Sequence, residues 1–214
     1  MTAARPEHRE MQELDEATVA LVQLAAMIAS SDEADLRAAF GAFAHVVPPE
    51  WVDELVVQSY LFCGFPRALN AAREWRRVAP APVPLGDEAD DVANAQQWLE
   101  RGLATCEAVY GPMYEKLRVN VRALHPALDA SMVVEGYGKI LSRPGLDLQR
   151  RELCIVAACA ATGQDRQLHS HLHGSLNVGV SADALNSAVA ALESVISEPR
   201  LKTARLLLAR VLGK

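Results

Sequence analysis

The residues whose types and spacing can do chemistry lie between positions 146 and 183. Glu152 stands at the head of an otherwise apolar run, R-R-E-L-C-I-V-A-A-C-A-A, and half of the six histidines follow in five residues, His169, His171 and His173. A carboxylate beside such a core must find a partner. Either Arg150 or Arg151 pairs with it in a first helical turn that favours acids, or it works with a histidine. On one helix His169 and His173 share a face, and His171 points about 200° away from His169. The pair has metal-ligand spacing, but no H-E-x-x-H glutamate accompanies it, and no metal is expected. His171 is either a hydrogen-bonded core histidine or a general acid or base, provided its face meets the helix bearing Glu152. Gln164 and Gln167 open the same helix, and their amides either hold a polar ligand or cap the helix end.

The elements that position these groups read as helices. The 214-residue chain is half hydrophobic and rich in Ala and Leu, with only 5% aromatic residues and few stretches of strand character, which predicts an all-α protein. A net charge of −6 argues against nucleic acid or an anionic membrane as partner. Arg73, Arg76 and Arg77 form one basic cluster and read as a solvated helix face. Cys63, Cys106, Cys154 and Cys159 make no C-x-x-C and no zinc spacing, as expected of buried thiols in a reducing compartment. With no signal peptide or membrane-spanning run, the expectation is a cytoplasmic protein, with polar residues 1–9 frayed.

Helical patterns cover 10–30, 32–44, 50–63 and 67–78, with Gly64-Phe65-Pro66 as a corner between the last two. A-P-A-P-V-P-L at 79–85 reads as an extended polyproline linker. Further helices are expected over 93–109, 113–124, 130–142, the 146–183 stretch, and twice in 182–212. The halves repeat: Pro66-Arg67 recurs 133 positions on as Pro199-Arg200, and Gly41 pairs with Gly174 in the same register. The expected organisation is a first repeat over 10–78, a linker with connecting helices over 79–142, and a second repeat over 143–212. At this offset Glu152 falls on Val19, His171 on Ala38 and His173 on Phe40. Polar chemistry is therefore expected in the second copy and a degenerate, structural role for the first.

The string R-R-E-L-C-I-V-A-A-C-A-A-T-G-Q-D-R-Q-L-H-S-H-L-H-G-S-L-N-V-G resembles the carboxymuconolactone decarboxylase family, which also holds the alkyl hydroperoxidase D-type peroxidases. G-Y-G-K-I-L-S-R-P-G-L-D at 136–147 and L-F-C-G-F-P-R-A-L-N-A at 61–71 extend the likeness. The resemblance implies tandem all-helical units and, for a chain with two units, a ring-like homotrimer. It implies a Glu at Glu152 and a His at His171 as catalytic residues. The peroxidase branch needs two cysteines where this chain has Gln164 and Gln167, and without a thiolate that chemistry has no nucleophile. The decarboxylase branch needs neither thiol nor cofactor. It implies a lyase acting on a small carboxylated lactone or a related intermediate of aromatic catabolism. His171 would act as general acid or base, Glu152 would orient it, and Arg150, Arg151, Gln164 and Gln167 would bind substrate. The alternatives are a non-enzymatic, ligand-binding helical oligomer and a peroxidase without its usual cysteines.

Overall fold

A computed structural model of the protein describes residues 10–79 and 83–213. The fray expected over 1–9 and the centre of the polyproline stretch, 80–82, lie outside the described residues.

The described residues form helices: α1 (Glu16–Ser30), α2 (Glu33–Phe43), α3 (Pro49–Val78), α4 (Ala95–Tyr110), α5 (Tyr114–Leu124), α6 (Pro126–Ser131), a π-helical segment (Met132–Leu141), α7 (Leu148–Thr162), α8 (Asp165–Asn177), α9 (Ala182–Ala191) and α10 (Glu198–Val211). Local chemistry sets their starts. The Asp15 carboxylate accepts from the Thr18 amide at 2.7 Å, Asp147 from Arg150 at 2.9 Å, and Ser181 Oγ from Ala184 at 3.0 Å. Each satisfies an amide with no partner inside the helix. Pro49 and Pro199 sit in first turns, where their fixed φ fits.

Three boundaries differ from the sequence expectation. The first helix starts at Glu16, because Met11 pairs instead with the α8–α9 turn: its amide donates to the Gly179 carbonyl at 2.8 Å and its carbonyl accepts from Ser181 at 2.9 Å. Residues 50–63 and 67–78 belong to one kinked helix, α3, broken only at Gly64 (φ 78°, ψ 159°), a conformation open to glycine. The helix expected over 130–142 is π-wound through Met132–Leu141, a rare form often associated with functional sites.

The core forms where α1 and α7 pack on one another, with α3 against α1 and α8 against α7. Every residue of α7 from Arg151 to Ala160 is buried. Burying Leu153, Ile155 and Val156 stabilises the fold by about 1.5–3 kcal/mol each. A second contact joins α4 to the π-helical segment. A Cβ on Gly102 would lie 2.1 Å from the Val133 carbonyl oxygen, and one on Gly138 would lie 1.9 Å from that of Trp98. Only glycines allow so close an approach.

Helix bounds can be compared at the offset of 133. Moved on by that amount, α1 covers 149–163 against Leu148–Thr162 for α7, and α2 covers 166–176 against Asp165–Asn177 for α8. α3 covers 182–211, the span from the start of α9 to the end of α10. The Gly64 kink falls on 197, the break before α10. The paired arginines also do similar work. Arg67 donates to the Ser31 carbonyl at 3.0 Å, beyond the C-terminus of α1, and the Arg200 guanidinium lies over Gly163 at the C-terminus of α7, where a cation meets the negative helix end.

Candidate active site

α7 ends at Gly163 in the left-handed region (φ 70°) and α8 begins two residues later. This tight helical hairpin sets the face of α8 bearing His171 against the face of α7 bearing Glu152. His171 Nδ1 and Glu152 Oε2 are 2.8 Å apart, with Glu152 fully buried and His171 5% exposed. A carboxylate accepts at this contact, so Nδ1 carries the hydrogen and Nε2 is the nitrogen left for chemistry. The other carboxylate oxygen, Oε1, is buried without a hydrogen-bond partner among the described residues.

Glu152 therefore pairs with a histidine and not with the arginines beside it. Arg150 donates to Thr18 Oγ1 at 2.8 Å, pairs with Asp147 at 2.6 Å and Asp15 at 3.1 Å, and lies 4.2 Å over the Trp51 ring. Arg151 is fully buried and pairs with Glu54 at 2.7 Å; it also donates to Gln58 and to the carbonyls of Leu146, Arg143 and Pro144. Burial pushes its pKa down, with Glu54 opposing. Both arginines brace α7 against its neighbours.

Gln164 and Gln167 are exposed at the start of α8. Of the two roles left open for the Gln164 amide, it does not make the capping bond. His169 and His173 are also exposed, with ring centroids 4.9 Å apart. Partial burial, then the neighbouring His169, push the His173 pKa down. As helix geometry required, His171 faces the core and the other two face outward.

Around the buried pair stand residues that the sequence reading did not single out. Phe62 meets the His171 ring edge-on at 5.9 Å, and Tyr110 meets it at 6.3 Å. Tyr110 in turn meets Tyr137 at 6.0 Å. Burial raises both phenol pKa values; their mutual hydrogen bond opposes this at Tyr110 and adds to it at Tyr137, and the Glu152 charge raises both. They stay protonated as neutral donors. Burial, with the Glu152 charge adding to it, pushes the Cys159 thiol up to about 12. Cys106 also rises to about 12, again through burial first.

Gly174 and Asn177 complete the arrangement. A Cβ on Gly174 would lie 2.7 Å from Glu152 Oε2 and 2.8 Å from Val109 Cγ1, so this position admits the carboxylate only as glycine. The Asn177 amide donates to the Val109 carbonyl at 2.8 Å, tying α8 to the end of α4 that carries Tyr110. His171, Gly174 and Asn177, at spacings of three, form a row that the H-x-x-G-x-x-N pattern spells out.

Comparison with known proteins identifies the family. The family model described as the carboxymuconolactone decarboxylase family matches residues 130–210, a span holding Glu152, His171, Gly174 and Asn177. The chain is also 30% identical over 151 residues to "Peroxisomal protein 2" of Schizosaccharomyces pombe, covering 69% of this chain and 70% of that protein. The chain belongs to the carboxymuconolactone decarboxylase family. As a member of that family it has the expected all-α fold, and no described helix is long and apolar enough to cross a membrane. Among the described residues no group of three or more His, Cys, Asp or Glu side chains is placed to hold a metal ion.

Proposed function

We propose that this family member is a cofactor-independent, decarboxylase-like lyase acting on a small carboxylated lactone or a related intermediate of aromatic catabolism. The observation that carries the reading is the 2.8 Å contact between His171 and Glu152 inside an apolar, aromatic wall. Losing CO2 breaks the bond to the substrate carboxylate and sends its electron pair through the ring alkene to the lactone carbonyl oxygen. A proton must then reach carbon. Protonated His171 delivers it from Nε2 and regains it from solvent, while Glu152 holds Nδ1 and so the ring's orientation. Water-poor surroundings favour this step, because charge leaves a compact carboxylate for a delocalised system.

Arg150 and Arg151 are already engaged with protein acceptors, so the role for them in binding substrate is not carried further. Gln164 and Gln167 are exposed at the hairpin and remain candidates for holding a polar substrate group. Thiol peroxidase chemistry is opposed by the burial of the cysteines, whose raised pKa values leave no ready thiolate.

The reading is tested by incubating purified protein with γ-carboxymuconolactone and measuring CO2. Turnover is expected, with loss of about a hundredfold or more in His171→Ala and Glu152→Gln. Equal rates in both variants would sink the assignment. A second reading, a ligand-binding oligomer without turnover, is favoured by how little of His171 reaches solvent; binding of the lactone without CO2 release would select it.

Two further parts of the proposal concern architecture and place. The matching helix bounds support a duplicated unit with chemistry in the second copy, over 143–212, and a structural first copy over 10–78. Val119, Leu124 and Leu128, more than half exposed on α5 and α6, support assembly into a homo-oligomer. Light scattering is expected to give three chains. We place the protein in the cytoplasm; the relative's name makes the peroxisome the alternative, and fluorescence microscopy of the tagged chain separates the two.

A further inference from the structure

His169 and His173 take no part in the buried pair, and their geometry has its own meaning. We propose that they form an exchangeable two-point chelate for a borderline divalent transition metal such as Zn2+ on the outer face of α8. The two residues lie one turn apart on a helix fixed by the His171–Glu152 contact and by the Asn177–Val109 bond. Both side chains are exposed, so an arriving ion displaces no protein group.

The ring separation falls within the range that one shared ion requires. Zinc binds imidazole nitrogen at about 2.1 Å, and the ring centroid lies about 1.2 Å beyond it. Two rings on one ion then hold their centroids roughly 4.6–5.3 Å apart, for N–metal–N angles of about 90–110°. The observed separation is 4.9 Å, with the rings inclined at 72°. Imidazole suits Zn2+, Cu2+ and Ni2+, and not Ca2+ or Mg2+, which prefer oxygen. Asp165 lies one turn before His169 on the same row, and the chain's net charge of −6 favours an approaching cation.

With no third protein ligand among the described residues, water fills the remaining positions. That makes an open, exchangeable site in place of a closed structural one. The clamp is separate from the acid–base site, since His171 points to the core, and it does not depend on the proposed reaction.

The test is titration of chelator-stripped protein with Zn2+ at neutral pH, followed by calorimetry. One ion per chain is expected. His169→Ala and His173→Ala should each weaken binding by about a hundredfold, since each removes the intramolecular second contact. The double variant should lose the site, and Zn2+ should raise the melting temperature of the native protein but not of that variant. Alanine suits an exposed helix position, so equal melting temperatures without metal will verify that the variants fold. Single variants with native affinity, a double variant still stabilised by Zn2+, or a native protein that binds no Zn2+ would each overturn the proposal.

Discussion

Gly174 lies so close to Glu152 that a single methyl group there would come within 2.7 Å of the carboxylate oxygen bonded to His171. A side chain can yield where a backbone cannot. Gly174→Ala is therefore expected to fold with a loss of about 1–2 kcal/mol while displacing the carboxylate. The His171 imidazole N–H resonance reports this directly: its shift toward that of a free histidine is expected, and an unchanged resonance would contradict the packing.

The close contact of α4 with the π-helical segment has no such freedom, because the obstructing atoms are backbone carbonyls. Gly102→Ala and Gly138→Ala should each destabilise by about 3 kcal/mol or more. Denaturant unfolding measures the loss.

Arg151 anchors a buried node with Glu54, Gln58 and Arg143. Replacing it with Met leaves buried acceptors without their donor, at a cost of about 3 kcal/mol or more. This should appear chiefly as a lower melting temperature. A raised KM at full stability would instead return Arg151 to the substrate.

The pH dependence has a defined sign at Asp129, which is buried and held by Arg118 and Arg122. The Arg118 hydrogen bond keeps its carboxyl below the ordinary 3.8. As pH falls, the unfolded chain takes up the proton first, so this stabilisation is present above about pH 4 and is lost as pH passes down through the folded value. The melting temperatures of the native protein and Asp129→Asn should differ at pH 7 and converge as the pH falls through the folded value; a gap that does not narrow in acid would refute the assignment.

Thiol reactivity gives a separate check. Burial lifts Cys63 to about 11 and Cys106 and Cys159 to about 12. A disulfide reagent at pH 8 should modify half-buried Cys63 first and slowly, and all four cysteines quickly only in denaturant. Fast labelling of the folded protein would reopen peroxidase chemistry.

Much of the site was legible because it lies within one hairpin. Helix periodicity alone separates His171 from His169 and His173, and a Gly after an apolar helix marks the turn that brings His171 to Glu152. The partner of Glu152 was harder to read. Sequence neighbours suggested Arg150 and Arg151, but adjacent positions on a helix point about 100° apart, and each arginine found acids on other elements. Phe62, Tyr110 and Tyr137 left no periodic signal, since their meeting at His171 depends on how distant helices pack. The early start expected for α1 failed for a similar reason: Met11 bonds with residues near position 180, a contact no local pattern records.

Phe62, edge-on to His171, belongs to α3, far upstream of both His171 and Glu152. The second half of the chain thus holds both partners of the His171–Glu152 contact but borrows part of the apolar wall around them. Cut free, residues 143–212 would carry both partners of that contact and stand them in water, where an imidazole beside a carboxylate is ordinary solution chemistry. What Phe62 on α3 contributes to the pair is dryness.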